Sequence, residues 1–433
     1  MATKYWEPKA LTVAQVTTVT VGGTLAGETF TITVGGVDIA SHTDADTVIA
    51  TTVAALVSAW NASIHAYATG ITAVDASPSI TFTGDTGGAV GSGSESGSPF
   101  ILTLNTPGGA ATFGQVETTS ATSVHNFNDP VNFSDGALPG ASDTVIIADT
   151  DVNICWGLES ITAADLVLKV DQSYTGLIGL RTSNFAANVA GDVYDSSAFE
   201  YRPTYLQLDI ATLEIGGSSG VGSPAGSTRI KIDNDKAGIS TTRIWNTAES
   251  SAESNLPAVR LLYNNINSDV DCLLTGAGGA GIGVDLPDEA STIGWVYVDG
   301  QTTQFTIGGG VTINNLTQHS GTCRLDSAST LATVARNGGS LTISEGVTVT
   351  FMTDKGAGQT IMNGTVGTLT ISGGGFVDGT QSGKSRTWTT VTVLDSTLQL
   401  DFSVVTITTL ADPVGGRYTF GFYAVDPSVS ISP

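Results

Sequence analysis

Charge is scarce in this chain, and positive charge scarcest of all. Asp, Glu, Lys and Arg make up 13% of the 433 residues, about half the usual share. Only 16 are Lys or Arg against 40 Asp or Glu, for a net charge of −24. Phosphate recognition needs clustered cations, so nucleic acid is not an expected partner. Cysteine is nearly missing as well. Cys155, Cys272 and Cys323 cannot all pair within one chain and show no metal-ligand spacing, so they read as small, partly buried hydrophobes. No apolar run approaches the ~20 residues of a membrane helix, and Met1 to Glu7 lacks the apolar core of a secretory leader. A chain made in the cytoplasm, with no membrane partner, is expected. Helical periodicity is confined to one stretch.

What the chain has instead is Gly, at 53 of 433 residues, and a strand code. From Gln304 to Leu410 a triplet recurs in which Thr stands between two apolar residues: Phe305-Thr306-Ile307, Val311-Thr312-Ile313, Leu341-Thr342-Ile343, Val347-Thr348-Val349, Leu369-Thr370-Ile371, Val391-Thr392-Val393 and Val405-Thr406-Ile407. Successive side chains of a strand point to opposite faces, so each triplet buries two apolar groups and shows a hydroxyl to water. Gly308-Gly309-Gly310 and Ser344-Glu345-Gly346 separate neighbouring triplets with the bend that Gly permits. Short strands and Gly corners predict a mainly β protein built as a parallel β-helix or solenoid, whose coils bury apolar faces only against neighbouring coils. The residues Ile307, Ile343, Ile371, Val393 and Ile407 are 36, 28, 22 and 14 positions apart. That irregularity leaves tandem β-sandwiches as the alternative.

Taken in order, residues 1–12 predict an N-terminal strand around Tyr5 and Trp6. Residues 13–120 predict a small α/β domain of five strands and one helix. In it Val16–Val21 and Phe30–Val34 form a hairpin, Ile71–Val74 pairs with Ile80–Thr83, and Phe100–Leu104 is a further strand. The helix spans 44–62, capped by Thr43 or Asp44, with Asp46 in its first turn and Ile49, Val53, Leu56 and Trp60 on one face. Gly84–Ser98 reads as a loop and Thr118–Asp129 as a linker. Residues 121–290 predict the first part of the solenoid, with long insertions at Thr182–Tyr201, Gly216–Ser227 and Thr247–Asn255. Residues 291–433 predict its regular coils and a C-terminal aromatic cap.

Candidate sites are few. Gly276-Ala277-Gly278-Gly279-Ala280-Gly281 matches G-x-G-x-x-G, but Val284-Asp285-Leu286-Pro287 follows where a dinucleotide site needs a helix to begin. Asp233-Asn234-Asp235-Lys236-Ala237-Gly238 opens like an EF-hand loop yet has Ile244 where the bidentate Glu belongs. Carboxylates come in near pairs: Asp149 with Asp151, Asp192 with Asp195, Asp269 with Asp271, and Asp285 with Asp288 and Glu289. Asp269 and Asp271, two residues apart on a strand, share one face at the separation glycoside cleavage requires; an acidic chain also generates such pairs by chance. His42, His65, His125 and His319 stand alone, without a nucleophile or ligand spacing. Trp156, Trp245, Trp295 and Trp388 are scattered, as buried anchors or sugar-stacking platforms. No catalytic, cofactor-binding or metal residue is assigned.

The opening Met1-Ala2-Thr3-Lys4-Tyr5-Trp6, with Asn132-Phe133, Gly136, Pro139 and Asp143-Thr144-Val145-Ile146, resembles the start of a group of β-rich tailed-phage virion proteins. In that group an Asn-Trp-Ser turn stands where Phe133 replaces the Trp, and the two segments lie closer together, so residues between them resemble an inserted module. The resemblance covers about the first 150 residues. It implies a non-enzymatic bacteriophage structural protein, in capsid decoration or a head fibre. The implied homotrimer contacts capsid or tail proteins and is located on the virion after assembly in the host cytoplasm. Two alternatives are a tail-associated spike that binds or cleaves host-surface glycans, and a bacterial surface adhesin.

Overall fold

The computed structural model describes residues 2–34, 37–63, 71–84, 100–155, 166–179, 206–216, 229–234, 236–248, 257–284, 291–326, 329–414, 417–420 and 430–432. From Thr144 onward the chain winds as a succession of coils joined by parallel ladders, which rules out the tandem sandwiches. Each regular coil has a short strand and a long one. Gln304–Ile307, Thr322–Leu325 and Ser340–Ile343 stack into a narrow sheet. Thr312–Gln318, Thr330–Arg336 and Thr348–Lys355 stack into a wide one.

Every Thr-centred triplet behaves as its pattern demands: both apolar members are buried and the Thr faces outward. A buried aliphatic side chain contributes about 1.5–3 kcal/mol, while ordering each residue's backbone costs about 1–2 kcal/mol. One coil therefore cannot stand alone, and the stack is stable through its neighbours. The triplets are unevenly spaced because they fall on both sheets: Phe305–Ile307 lies in the narrow one, Val311–Ile313 enters the wide one. Coil length also varies, from Thr348 opposite Thr365 to Thr368 opposite Thr390.

The wide sheet bends. In the strand Thr312–Gln318 the buried residues are Ile313, Leu316 and Gln318, and the first two are three apart instead of two, so the chain turns around the core between them. The ladder skips Gly294, Asn314, Ala332, Thr350, Gly367 and Thr389 in successive coils. At this ridge a Cβ on Gly294 would lie 2.2 Å from the Ile266 carbonyl oxygen, which explains the glycine. Inside the next corner a polar column replaces apolar packing. Gln318, Arg336 and Asp354 follow one another in register and are fully buried. The Arg336 guanidinium pairs with Asp354 at 2.5 and 2.7 Å and donates to the Gly339 and Ala357 carbonyls at 2.9 and 3.1 Å.

The first strand, Thr3–Trp6, pairs in parallel with Thr144–Ile147 and so forms the opening rung of the wide sheet. Residues between them make a separate unit with its own core, from Val19 to Leu102. Its ends meet where Val13 and Thr122 exchange backbone hydrogen bonds of 3.0 and 3.2 Å.

Several expectations for this unit need correction. Val16–Gly22 does not form a hairpin with Thr29–Val34; it lies between Ser79–Gly84 and Thr112–Thr119, while Thr29–Val34 lies between Val37–Thr43 and Thr103–Leu104. The intervening residues, with Leu25 buried, carry the chain from one sheet to the other. The unit thus has seven strands among the described residues, since Val37–Thr43 and Thr112–Thr119 have weak alternation. The helix is Ile49–Ala62, not 44–62, and its N-cap Val48 makes no side-chain cap bond. Asp44 instead accepts from the Thr47 amide and the Thr52 hydroxyl, and Asp46 from the Val48 amide, so these carboxylates shape the loop before the helix.

Thr118–Asp129 is not a linker. It leads from a strand into a packed turn in which Ser123, Asn126, Asp129 and Asn132 are buried with Phe127. The tail, expected as a cap, adds rungs: Arg417–Phe420 pairs with Thr397–Leu400, and Ser430–Ser432 with Thr409–Ala411. The loops at Gly84–Ser98, Thr182–Tyr201, Gly216–Ser227 and Thr247–Asn255 fall almost entirely outside the described residues.

Candidate functional site

The two segments that carry the sequence resemblance form one physical unit. Asp143 accepts from the Ala2 amide at 2.8 Å and the Gly140 amide at 3.0 Å; Ser134 accepts from the Tyr5 amide; Trp6 and Phe133 form a bridge. The Lys4 ammonium, almost fully buried, contacts Asp135 at 2.6 Å and donates to the Ala137 and Leu138 carbonyls. Asn132 uses its whole amide: the Oδ1 accepts from the Lys9 and Ala10 amides, and the Nδ2 donates to the Ser123 and Asn126 carbonyls. Phe127 and Phe133 meet edge to face at 5.5 Å beside Trp6. Gly136 takes φ +69°, which a side chain would resist. These residues close the start of the solenoid core, a structural role. A cleft of about 400 Å³ beside them is lined by Tyr5–Lys9 and Ala148–Thr150.

The remaining chemistry lies on the outer surface of the wide sheet. Parallel register there places one side chain above the next at about 4.8 Å. One column runs Lys169, Glu214, Arg243, Asp271, Tyr297 and Thr317. Its charges alternate and pair, Lys169 with Glu214 at 2.7 Å and Arg243 with Glu214 and Asp271 at 3.6 and 3.7 Å. The adjacent column sets Asp269 beside Trp295. Trp295 is 41% exposed and Tyr297 38%. Burial pushes the Asp271 carboxyl up, Asp269 adds to the rise, and Arg243 opposes it. One Asp269 oxygen is buried without a hydrogen-bond partner.

Sequence-predicted candidates are thereby sorted. Asp269 and Asp271 do share a face, and Trp295 joins them. Two carboxyl groups on such a strand lie about 6–7 Å apart, and two aromatic faces adjoin them, a layout that can hold a sugar ring by stacking and by hydrogen bonds to its hydroxyls. Asp149 and Asp151 occupy a turn, with Asp149 at φ +53° and its amide donating to Ser173. Gly276–Gly279 is a coil corner leading into the strand Ala280–Ile282, not into a helix. Asp233 and Asn234 end a strand, and the Asn234 amide bonds both to the Ile210 N–H and to its carbonyl. Trp388 is a buried anchor donating to the Gly364 carbonyl, Trp245 is half-buried, and His125 contacts the Asn153 carbonyl. His42 sits in a strand of the inserted unit and His319 at an exposed corner. Cys155, Cys272 and Cys323 are all buried. His65, Trp156, Asp192, Asp195, Asp285, Asp288 and Glu289 lie outside the described residues. Among those described, no group of His, Cys, Asp and Glu has the arrangement of a metal site, and no helix is long and apolar enough to cross a membrane.

Sequence reasoning missed Tyr297, Arg243, Glu214 and the exposed Phe351, because their alignment depends on coil lengths that the triplets alone do not reveal. No family model, curated protein or solved structure matches the chain.

Proposed function

We propose that the chain is a non-enzymatic structural protein of a bacteriophage virion surface, in capsid decoration or a head fibre. The observation that carries this reading is the joining of Ala2–Trp6 to Asn132–Ile147 by paired strands, an ion pair and reciprocal side-chain bonds, across a large insertion. The two segments of the resemblance thus act together as the foundation of a solenoid. A stack of coils is stiff along its axis and tolerates insertions at its corners, properties suited to display. The test is antibody labelling of purified particles from an infected culture, imaged by electron microscopy. Label on heads supports decoration; label on tails moves the protein to the tail; label on neither, with the chain absent from particle peptides, refutes the proposal.

A second reading, a tail-associated protein that binds or cleaves glycans, is favoured by one observation, the Asp269, Asp271, Trp295 and Tyr297 cluster. Incubation with host capsule followed by assay for new reducing ends separates binding from cleavage. Release that disappears in Asp269→Asn and Asp271→Asn would make the chain an enzyme.

A further inference from the structure

We propose that the outer face of the wide sheet, over the six strands from Thr312 to Ala411, is the surface through which copies of this chain pack against one another. This deepens the homotrimer reading by naming the face.

In a chain of net charge −24, the described residues of that face carry no charge short of Lys355 at its far corner. Its first outward column is Thr at each coil, Thr312 opposite Thr330, Thr348 and Thr365, then Thr387 opposite Thr406. Beyond the ridge, two further columns hold only Thr, Asn, Ala and one Phe. Lys355, at the far corner, marks the edge. The earlier coils of the same sheet differ sharply, since their column is the charged series Lys169, Glu214, Arg243 and Asp271. Two copies with this excess of acid repel each other wherever carboxylates meet. A broad uncharged plane is where they can touch without that cost.

The distribution of aromatics is a second, independent pointer. Among the described residues, the exposed large hydrophobic side chains beyond Ile266 are Trp295, Tyr297 and Phe351. All three lie on this sheet: Trp295 shares a column with Asn315, Thr333 and Phe351, and Tyr297 links the charged column that ends at Asp271 to Thr317. Phe351 is 56% exposed and lies three coils from Trp295. Phe351 lies inside the uncharged patch, while Trp295 and Tyr297 stand on its border, on the strand before Thr312 and next to Asp269 and Asp271; an aromatic anchor in an uncharged patch has the composition of an interface core. Six coils at about 4.8 Å and strands of about 20 Å give roughly 500 Å² in plan, or about 250 Å² on either side of the ridge; that is about a third of the ~800 Å² per partner of a standard interface, and each copy makes two such contacts. The ridge divides this area into two planes, and two planes meeting at a ridge allow three copies to close around an axis, each plane meeting a different neighbour.

The test is sedimentation of the full purified chain across roughly 1–100 μM, a range that covers ordinary self-association. The wild type is expected to sediment as three copies. Thr333→Glu/Thr368→Glu/Thr390→Glu places like charges on the face and is expected to weaken association at least 100-fold. The control Thr322→Glu/Thr342→Glu/Thr397→Glu, on the narrow sheet, leaves it unchanged. Phe351→Ser adds no charge to an exposed site and is expected to weaken association at least tenfold with unaltered circular dichroism; it decides the matter if the triple Glu variant fails to fold. A wild-type monomer at every concentration overturns the proposal, as does dissociation of the control to the same extent as the face variant. Particles are not involved, so failure of the virion assignment leaves this result standing.

Discussion

Substituting Asp354 tests how the solenoid corner tolerates ionic groups in its core. Arg336 and Asp354 are both wholly buried, joined by two hydrogen bonds, and the Thr360 hydroxyl also donates to Asp354. Asp354→Leu leaves the guanidinium buried without its counter-charge, and removing one member of such a pair costs about 3–5 kcal/mol. The leucine itself fits, since the register neighbour of Asp354 is the buried Ile371. In the double variant Arg336→Met/Asp354→Leu the stranded charge is gone. What remains, beyond the Thr360 bond lost in both variants, is the loss of the bonds to Gly339 and Ala357, about 1 kcal/mol each. The double variant is therefore expected to be more stable than the single by about 1–3 kcal/mol. Urea titration gives the ordering, and thermolysin digestion read by mass spectrometry locates the opening, which a stack of coils can undergo locally. A single variant within about 0.5 kcal/mol of wild type, or a double variant less stable than the single, would refute the reasoning.

Three further outcomes follow from named contacts. Gly308→Ala is expected to destabilise the stack by at least about 1–3 kcal/mol, because its Cβ would stand 1.8 Å from the Gly283 carbonyl oxygen, whereas Gly114→Ala meets nothing and should leave the melting temperature unchanged. Cys272 and Cys323 are buried with their thiols pushed up, Cys323 to about 12, so neither should react with a thiol reagent at neutral pH until the coils are unfolded, as labelling with and without denaturant will show. The Lys4 hydrogen bond depresses Asp135, and the Ala2 and Gly140 amides depress Asp143. Groups held below their unfolded value stabilise fully above it, and that contribution is lost as pH falls through the folded value. The strand Thr3–Trp6 should thus become accessible to pepsin below the ordinary carboxylate range while the later coils still resist. Equal cleavage of both regions would contradict the assignment.

Strand and corner were legible wherever Thr alternates with aliphatics, since Leu341-Thr342-Ile343 can bury its two ends in only one way. Polar interiors were not. Ser123 and Asn126 look like linker residues because their composition is polar, yet each spends side-chain oxygens on nearby backbone and is buried beside Phe127. The buried Arg336 likewise sits where the pattern calls for an apolar residue. Pairing across sheets was also hidden: Val16–Gly22 and Thr29–Val34 adjoin in sequence but belong to different sheets. Asp269 and Asp271 could be placed on one face from their spacing. Their meeting with Trp295 and Tyr297 needed the coil length, which insertions obscure.

The inserted unit bears on how the solenoid starts. Thr3–Trp6 must find Thr144–Ile147 across more than a hundred residues, a closure that grows costlier with loop length only slowly. The stem bridge between Val13 and Thr122 holds the two ends of the insertion side by side, so its contents can be removed without stretching the chain. Replacing residues 14–121 with a short Asn-Gly turn is expected to leave the solenoid folded, with melting unchanged within a few degrees, because Lys4, Trp6 and Asn132 take their bonds from outside the excised span except where residues on the stem itself contribute. Residues 13–122 alone should fold as well, since Val19, Phe30, Leu56, Trp60 and Phe82 form a core that borrows nothing from the coils. A deletion variant that aggregates while the excised unit folds would mean that the insertion is needed to bring the opening strand home. The N-terminal rung would then depend on a folded unit built before it can close.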